Sequence, residues 1–197
     1  MSPELIGPVI PGPADSTALR LAELDRRIVD RPDDADLYAE RARFFQSLDS
    51  SRRSIRDWER ALELDSSNAG FHLELGSLYY TSTLIDRARA QFERAIALAP
   101  DDPEAKLRLA EIELVERHHP VAMNLVNQAL RIDPNLAHGY YLKGWIHKEM
   151  GDTALAVSSL RTAIEQEPTY YEAFVQLGIL HAAKRDHLAK EYYTSAL

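Results

Sequence analysis

Apolar residues along the chain recur at the spacing of paired amphipathic helices. Between residues 69 and 98, Leu75, Leu78 and Tyr79 stand at i, i+3 and i+4 and mark one face of a first helix. Ala88, Phe92, Ala95 and Ile96 mark a face of a second, and Ser82-Thr83 between them reads as a turn. The same place in neighbouring stretches reads Asp49-Ser50-Ser51, His118-His119-Pro120 and Gly151-Asp152-Thr153, which predict the end of one helix and the cap of the next. Pro100, Pro134 and Pro168 follow the second helices, where a residue without an N–H cannot extend the helix.

These features repeat at a fixed interval. Ala61, Ala95, Ala129 and Ala163 lie 34 residues apart, as do the three prolines, and one step back from Pro100 stands Ser66, then Pro32. Self-similarity at such a period predicts stacked copies of one helical hairpin. The predicted units are 35–68, 69–102, 103–136, 137–170 and an incomplete 171–197. Residues 16–34 carry Leu19, Leu21, Leu24 and Ile28 ahead of Pro32, which predicts a capping helix without a first partner. Residues 1–15, with Pro3, Pro8, Pro11, Pro13, Gly7 and Gly12, predict an extended tail. The chain stops at Leu197 inside what the pattern makes its last helix, so the expectation is an open apolar end and a fragment of a longer protein.

The repeat resembles the tetratricopeptide family, whose pattern is W-x2-L-G-x2-Y, then A-x3-F, then P. Residues 69–102 supply His72, Leu75, Gly76, Tyr79, Ala88, Phe92 and Pro100. The next unit supplies Leu109, Ala110, Ala122, Val126, Ala129 and Pro134; the one after supplies Tyr140, Gly144, Ala156, Leu160, Ala163 and Pro168. Unit 35–68 carries Tyr38, Ala42, Phe45, Trp58 and Ala61, departing at Ser54 and Ser66; the last carries Phe174, Leu177, Gly178, Ala189, Tyr193 and Ala196. Gly or Ala at 42, 76, 110, 144 and 178 would let the two helices of a hairpin approach closely. The resemblance implies an all-α, right-handed solenoid of antiparallel helical hairpins. It looks similar to bacterial members, including exported and lipid-anchored ones.

In that family the first helices line a concave groove, and ligand contacts fall at the second, fifth, ninth and twelfth positions of each repeat. The resemblance therefore implies a peptide-binding groove of Arg43, Leu73, Ser77, Tyr80, Leu107, Glu111, Leu114, His138, Tyr141, Trp145, Lys148, Val175 and Ile179. Asp36, Ala39, Gln46, Gly70, Glu104, Glu172 and Ala182 complete those positions. Tyr80, Tyr141 and Trp145 are the expected anchors, because aromatic side chains with a polar edge dominate interfaces. The fifth-position residues Leu73, Leu107, Tyr141 and Val175 have a plainer reading, as packing between neighbouring first helices. The Lys and Asn that clamp a chaperone's terminal carboxylate in one subtype are replaced by Ala39/Arg43, Leu73/Ser77 and Leu107/Glu111.

Other chemistry is sparse. Net charge is −8, and Arg52, Arg53, Arg56 and Arg60 alternate with Asp57, Glu59 and Glu63 as on a solvated helix face, which argues against nucleic acid. The chain has no cysteine, so disulfides and thiolate sites are excluded. No apolar run reaches membrane-span length. Met1-Ser2-Pro3-Glu4 lacks the features of a signal peptide, so the chain reads as cytoplasmic as written, with export or lipid anchoring the alternative if a native signal was removed. Glu113, His147 and His181 share a repeat position, which predicts a hydrogen-bonded structural ladder in preference to a metal or pH-sensing cluster. Arg41 and Lys143 replace core leucines, with stems packed and heads in solvent. Phosphate loops and metalloprotease or esterase motifs are absent.

The sequence thus predicts a non-enzymatic scaffold for another protein or peptide, with no cofactor and no metal. Its rivals are a regulatory segment of a larger protein and a self-assembling scaffold docking through its open end. The tail segment Leu5-Ile6-Gly7-Pro8-Val9-Ile10 is a further candidate occupant of the groove.

Overall fold

A computed structural model describes residues 13–183 and 187–196. Eleven α-helices and no strand occur among the described residues. They are α1 (Pro13–Asp30), α2 (Ala35–Ser47), α3 (Ser51–Leu64), α4 (Ala69–Thr81), α5 (Ile85–Leu98) and α6 (Pro103–Val115). The array continues through α7 (His119–Ile132), α8 (Ala137–Glu149), α9 (Thr153–Gln166), α10 (Tyr171–Ala183) and α11 (Leu188–Ser195). The pairs α2–α3, α4–α5, α6–α7, α8–α9 and α10–α11 pack as antiparallel hairpins, and each hairpin then packs on the next. α1 packs on α2 and begins at Pro13, inside the stretch whose prolines predicted tail. The segment Leu5-Ile6-Gly7-Pro8-Val9-Ile10 lies outside the described residues.

The first helices α2, α4, α6 and α8 end the same way. Asp49, Thr83, Arg117 and Gly151 have φ of 53°, 60°, 64° and 87°, and each is one repeat from the next. The following N–H reaches back to the carbonyl five residues earlier: Ser50 to Phe45, Leu84 to Tyr79, His118 to Glu113 and Asp152 to His147. Such bonds satisfy carbonyls that a helix end leaves orphaned, and the left-handed residue turns the chain directly into the second helix. The side-chain caps expected at these turns are missing from α3, α5, α7 and α9. Side-chain caps serve the first helices instead, where Asp34, Asn68 and Asp102 accept from Asp36 N, Phe71 N and Glu104 N.

The core runs along the array as three adjoining clusters, one passing into the next. Ala61, Ala95, Ala129 and Ala163 are all buried, and so are Trp58, Phe92, Val126 and Leu160, which fill one recurring position of the second helix. A hairpin this thin cannot bury its apolar face alone, so stability comes from stacking. Ser54 departs from the alanine found at 88, 122 and 156, but it is fully buried and its hydroxyl donates to Ala42 O at 2.9 Å.

Arg41 does not end in solvent as its stem-packing reading implied. Its guanidinium donates through Nε and Nη2 to both oxygens of Asp57, each at 2.7 Å, and through Nη1 to Asp25. Asp57 is itself buried, so this pair ties α2 to α3 and α1. No helix is long and apolar enough to cross a membrane among the described residues.

Candidate functional site

The first helices bring a set of aromatic and charged side chains to one cavity of about 570 Å³. α4 supplies Tyr80 and Thr81; α6 supplies Glu104, Arg108 and Glu111; α8 supplies His138, Tyr141 and Trp145. Tyr170, just ahead of α10, and Glu172 in its first turn close the far side. Residues from four successive first helices meet here because positions one turn apart on a helix share a face and the helices stack in register.

The aromatic wall is continuous. Tyr141 and Tyr170 have ring centroids 5.4 Å apart, and Tyr141 and Trp145 are 6.1 Å apart, both tilted. The His138 imidazole stacks against Tyr141 and Tyr170, each at 6.5 Å. Beside the rings stand three carboxylates. Glu104 accepts from Arg108 Nε at 2.8 Å, and Glu111 lies 2.8 Å from His138 Nε2 and 3.5 Å from Arg108 Nη1. Glu172 has no basic partner among the described residues. Burial first, then the Glu172 and Glu111 carboxylates, pushes the Tyr141 hydroxyl above its ordinary pKa. Burial, then Glu172 and Tyr141, does the same to Tyr170.

Of the residues expected to line the groove, Tyr80, Glu111, His138, Tyr141 and Trp145 meet in this cavity. Leu107 and Leu114 do not: they are buried to 0% and 3% exposure in the core and offer no surface to a ligand. For Leu107 the plainer packing reading holds. Leu73 is half-buried against the first core cluster, and Ser77 turns its hydroxyl back onto Leu73 O at 2.9 Å. Arg43 is exposed over the Trp58 ring at 5.0 Å, and Lys148 donates to Gln176 at 2.9 Å. Val175 is half-buried and Ile179 is 40% exposed, both outside the cavity. Sequence reasoning missed Tyr170, Arg108 and Thr81. Tyr170 carried a signal, because it occupies the repeat position of the helix caps Asp34, Asn68 and Asp102 but has no capping oxygen.

Glu113, His147 and His181 form no common ladder. Glu113 is bound by Arg89 and by His118 at 2.9 Å, and the ligand-type trio that comes within 4.8 Å among the described residues is Glu113, Glu116 and His118. Arg89 already bridges the two glutamates. His181 packs against Tyr192 at 5.1 Å. His147 lines a second cavity between α7, α8 and α9 with His119, Met123, Lys143 and Met150. Its Nδ1 is buried without a hydrogen-bond partner in the protein, and burial, then Lys143, lowers its pKa.

Family models of the tetratricopeptide repeat match residues 78–137 and 137–170. Among characterised proteins, tetratricopeptide repeat protein 8 of Caenorhabditis elegans is 24% identical over 167 residues, covering 83% of this chain and 33% of that protein. Human protein O-mannosyl-transferase TMTC1 is 22% identical over 194 residues, covering 79% of this chain and 22% of its own length. The chain thus spans a third or less of these relatives. Among solved structures, YrrB, described as a TPR protein with an unusual peptide-binding site, superposes with a TM-score of 0.65 at 23% identity, covering 88% of this chain and 90% of that one. The repeated hairpins, the small residues at their crossings and the two matching family models converge on one assignment: the chain belongs to the tetratricopeptide repeat family.

Proposed function

We propose that this chain is a scaffold that holds an extended segment or a helix of another protein in the groove lined by α4, α6, α8 and α10. Tetratricopeptide arrays are protein-interaction scaffolds, and the peptide-binding site that YrrB's description mentions lies on an array of the same fold. One observation carries the finer reading. Tyr80 of α4 and Tyr141 and Trp145 of α8, two repeats apart, line a single cavity together with Tyr170. Half-buried aromatic rings around a concave, partly polar surface have the composition of interface hot spots. The acidic residues along the groove favour a partner with basic residues, and net charge argues for protein over nucleic acid. The scaffold has no catalytic role of its own in this reading, although one relative is a transferase over whose length the match is short.

The test is a displayed library of random peptides selected on the intact chain. Peptides that use the groove should lose at least ~2 kcal/mol of affinity when Trp145→Ala is combined with Tyr141→Ala. Helical content should stay that of the parent. If the selected peptides bind the folded double variant as they bind the parent, the concave face is not the working surface.

A further inference from the structure

The cavity that anchors the groove has an electrostatic asymmetry. Glu104 and Glu111 both pair with Arg108, and Glu111 also lies beside His138. Glu172 stands at the opposite wall with no basic partner among the described residues, while its charge reaches the hydroxyls of Tyr141 and Tyr170. The walls beside it are the rings of Tyr141, Tyr170 and Trp145, all half-buried. Ring faces carry negative potential and attract a cation that has lost part of its water, and a nearby carboxylate adds to that attraction. Glu172 is exposed, so an apolar ligand group would gain nothing from its charge, and an anion would be repelled by both it and the ring faces.

We propose that this cavity is a receptor for one cationic side chain, the guanidinium of an arginine or the ammonium of a lysine, presented by the protein segment that lies in the groove. Glu172 is the counter-ion, and Tyr141, Tyr170 and Trp145 form the box around the charge. On the other side Arg108 already pairs with Glu104 and Glu111, which leaves Glu172 as the lining carboxylate without a basic partner among the described residues. This inference rests on the groove being the working surface.

Trp145 itself reports on the test, since the chain has two tryptophans and the other, Trp58, is fully buried and serves as internal control. The indole N–H signals of the intact chain are followed by NMR during titration with the blocked tripeptide Gly-Arg-Gly. A parallel titration uses Gly-citrulline-Gly, which has the same shape without the charge. The arginine peptide should shift the Trp145 signal saturably and leave Trp58 in place, and the citrulline peptide should not. Glu172→Gln should weaken the arginine peptide about fivefold or more, and added salt should weaken it further. Equal responses to both peptides, or an unchanged affinity in Glu172→Gln, overturn the proposal. The groove reading is separated from it by the selected library. If library peptides depend on Tyr141 and Trp145 but lack basic residues and survive Glu172→Gln, the groove stands and the cation receptor falls. If no selected peptide depends on Tyr141 and Trp145, both fall together.

Discussion

A Cβ placed on Gly144 would lie 2.7 Å from Cγ of Leu160, inside any tolerable contact. The missing side chain is therefore what allows α8 and α9 to cross with a buried leucine between them. One repeat earlier the equivalent pair is Ala110 with Val126, a larger residue opposite a smaller one in the same core cluster. Gly144→Ala should cost roughly 1–3 kcal/mol through overpacking. Leu160→Val should cost about 1 kcal/mol through lost burial. The double variant rebuilds the neighbouring repeat's pair, so its loss should be smaller than the sum of the two. Denaturant unfolding of the four proteins measures this coupling, and strict additivity would show that the two positions do not share a contact.

The left-handed turns make predictions of opposite sign. Thr83 is β-branched at φ 60°, a conformation that costs such residues about 1–3 kcal/mol. Thr83→Gly should remove that strain, lose part of it to the freedom of the unfolded chain, and raise stability by roughly 0.5–1 kcal/mol. Gly151 stands at the equivalent turn with φ 87°, and a Cβ there would meet nothing within 4 Å. Gly151→Ala should nonetheless destabilise by about 1 kcal/mol, for purely backbone reasons. Thermal midpoints of the two variants should move in opposite directions.

How far the sequence revealed this molecule depends on which contacts are local. The 34-residue recurrence of Ala61, Ala95, Ala129 and Ala163 is visible because each copy solves the same packing problem within one hairpin. The groove was legible only in part. Tyr141, Trp145 and Glu111 lie where one helix face predicts them, and they do meet. Leu107 and Leu114 stand at the edge of that face, next to Glu104 and Glu111 that line the cavity, and both are buried in the core between repeats. Tyr170 joins the site by leaning from the start of α10 onto His138 and Tyr141, a contact between repeats that a face drawn within one repeat does not contain. Arg41 misled for a similar reason, since its partners Asp25 and Asp57 come from two other helices.

The lowered pKa of His147 gives stability a pH dependence. Burial, then the Lys143 charge, disfavours the imidazolium in the folded chain, opposed by Asp152, while the unfolded residue titrates near 6.5. Below 6.5 the unfolded state therefore binds more protons than the folded state, and stability falls as pH drops toward the folded pKa. Above 6.5 this contribution is constant. His147→Asn should flatten the slope of the unfolding free energy in that acid window and leave the slope above pH 7 unchanged. Urea titrations across pH in parent and variant measure it, and parallel curves would mean that His147 is not the group responsible.

The Glu113, Glu116 and His118 trio has the ligand types and the spacing of a metal site, yet a guanidinium already occupies it. Arg89 bridges both carboxylates, and Glu113 is buried to 6% exposure, so its charge is compensated within the protein. A zinc ion would have to displace that guanidinium and leave Arg89 half-buried without a partner. The parent's melting midpoint should thus be the same with excess zinc as with a chelator. Arg89→Ala removes the competitor and leaves the buried Glu113 with His118 alone beside it, which should cost about 3 kcal/mol. In that variant the freed carboxylates and His118 can accept zinc, and added zinc should restore much of the lost stability by binding the folded state alone. His147→Ala should leave both responses untouched, because His147 belongs to the other cavity. A zinc-induced rise in the parent that disappears in His147→Ala would return the metal to the Glu113–His147–His181 positions. A lack of any zinc response in Arg89→Ala would show that the trio is held too rigidly by its helices to close on an ion.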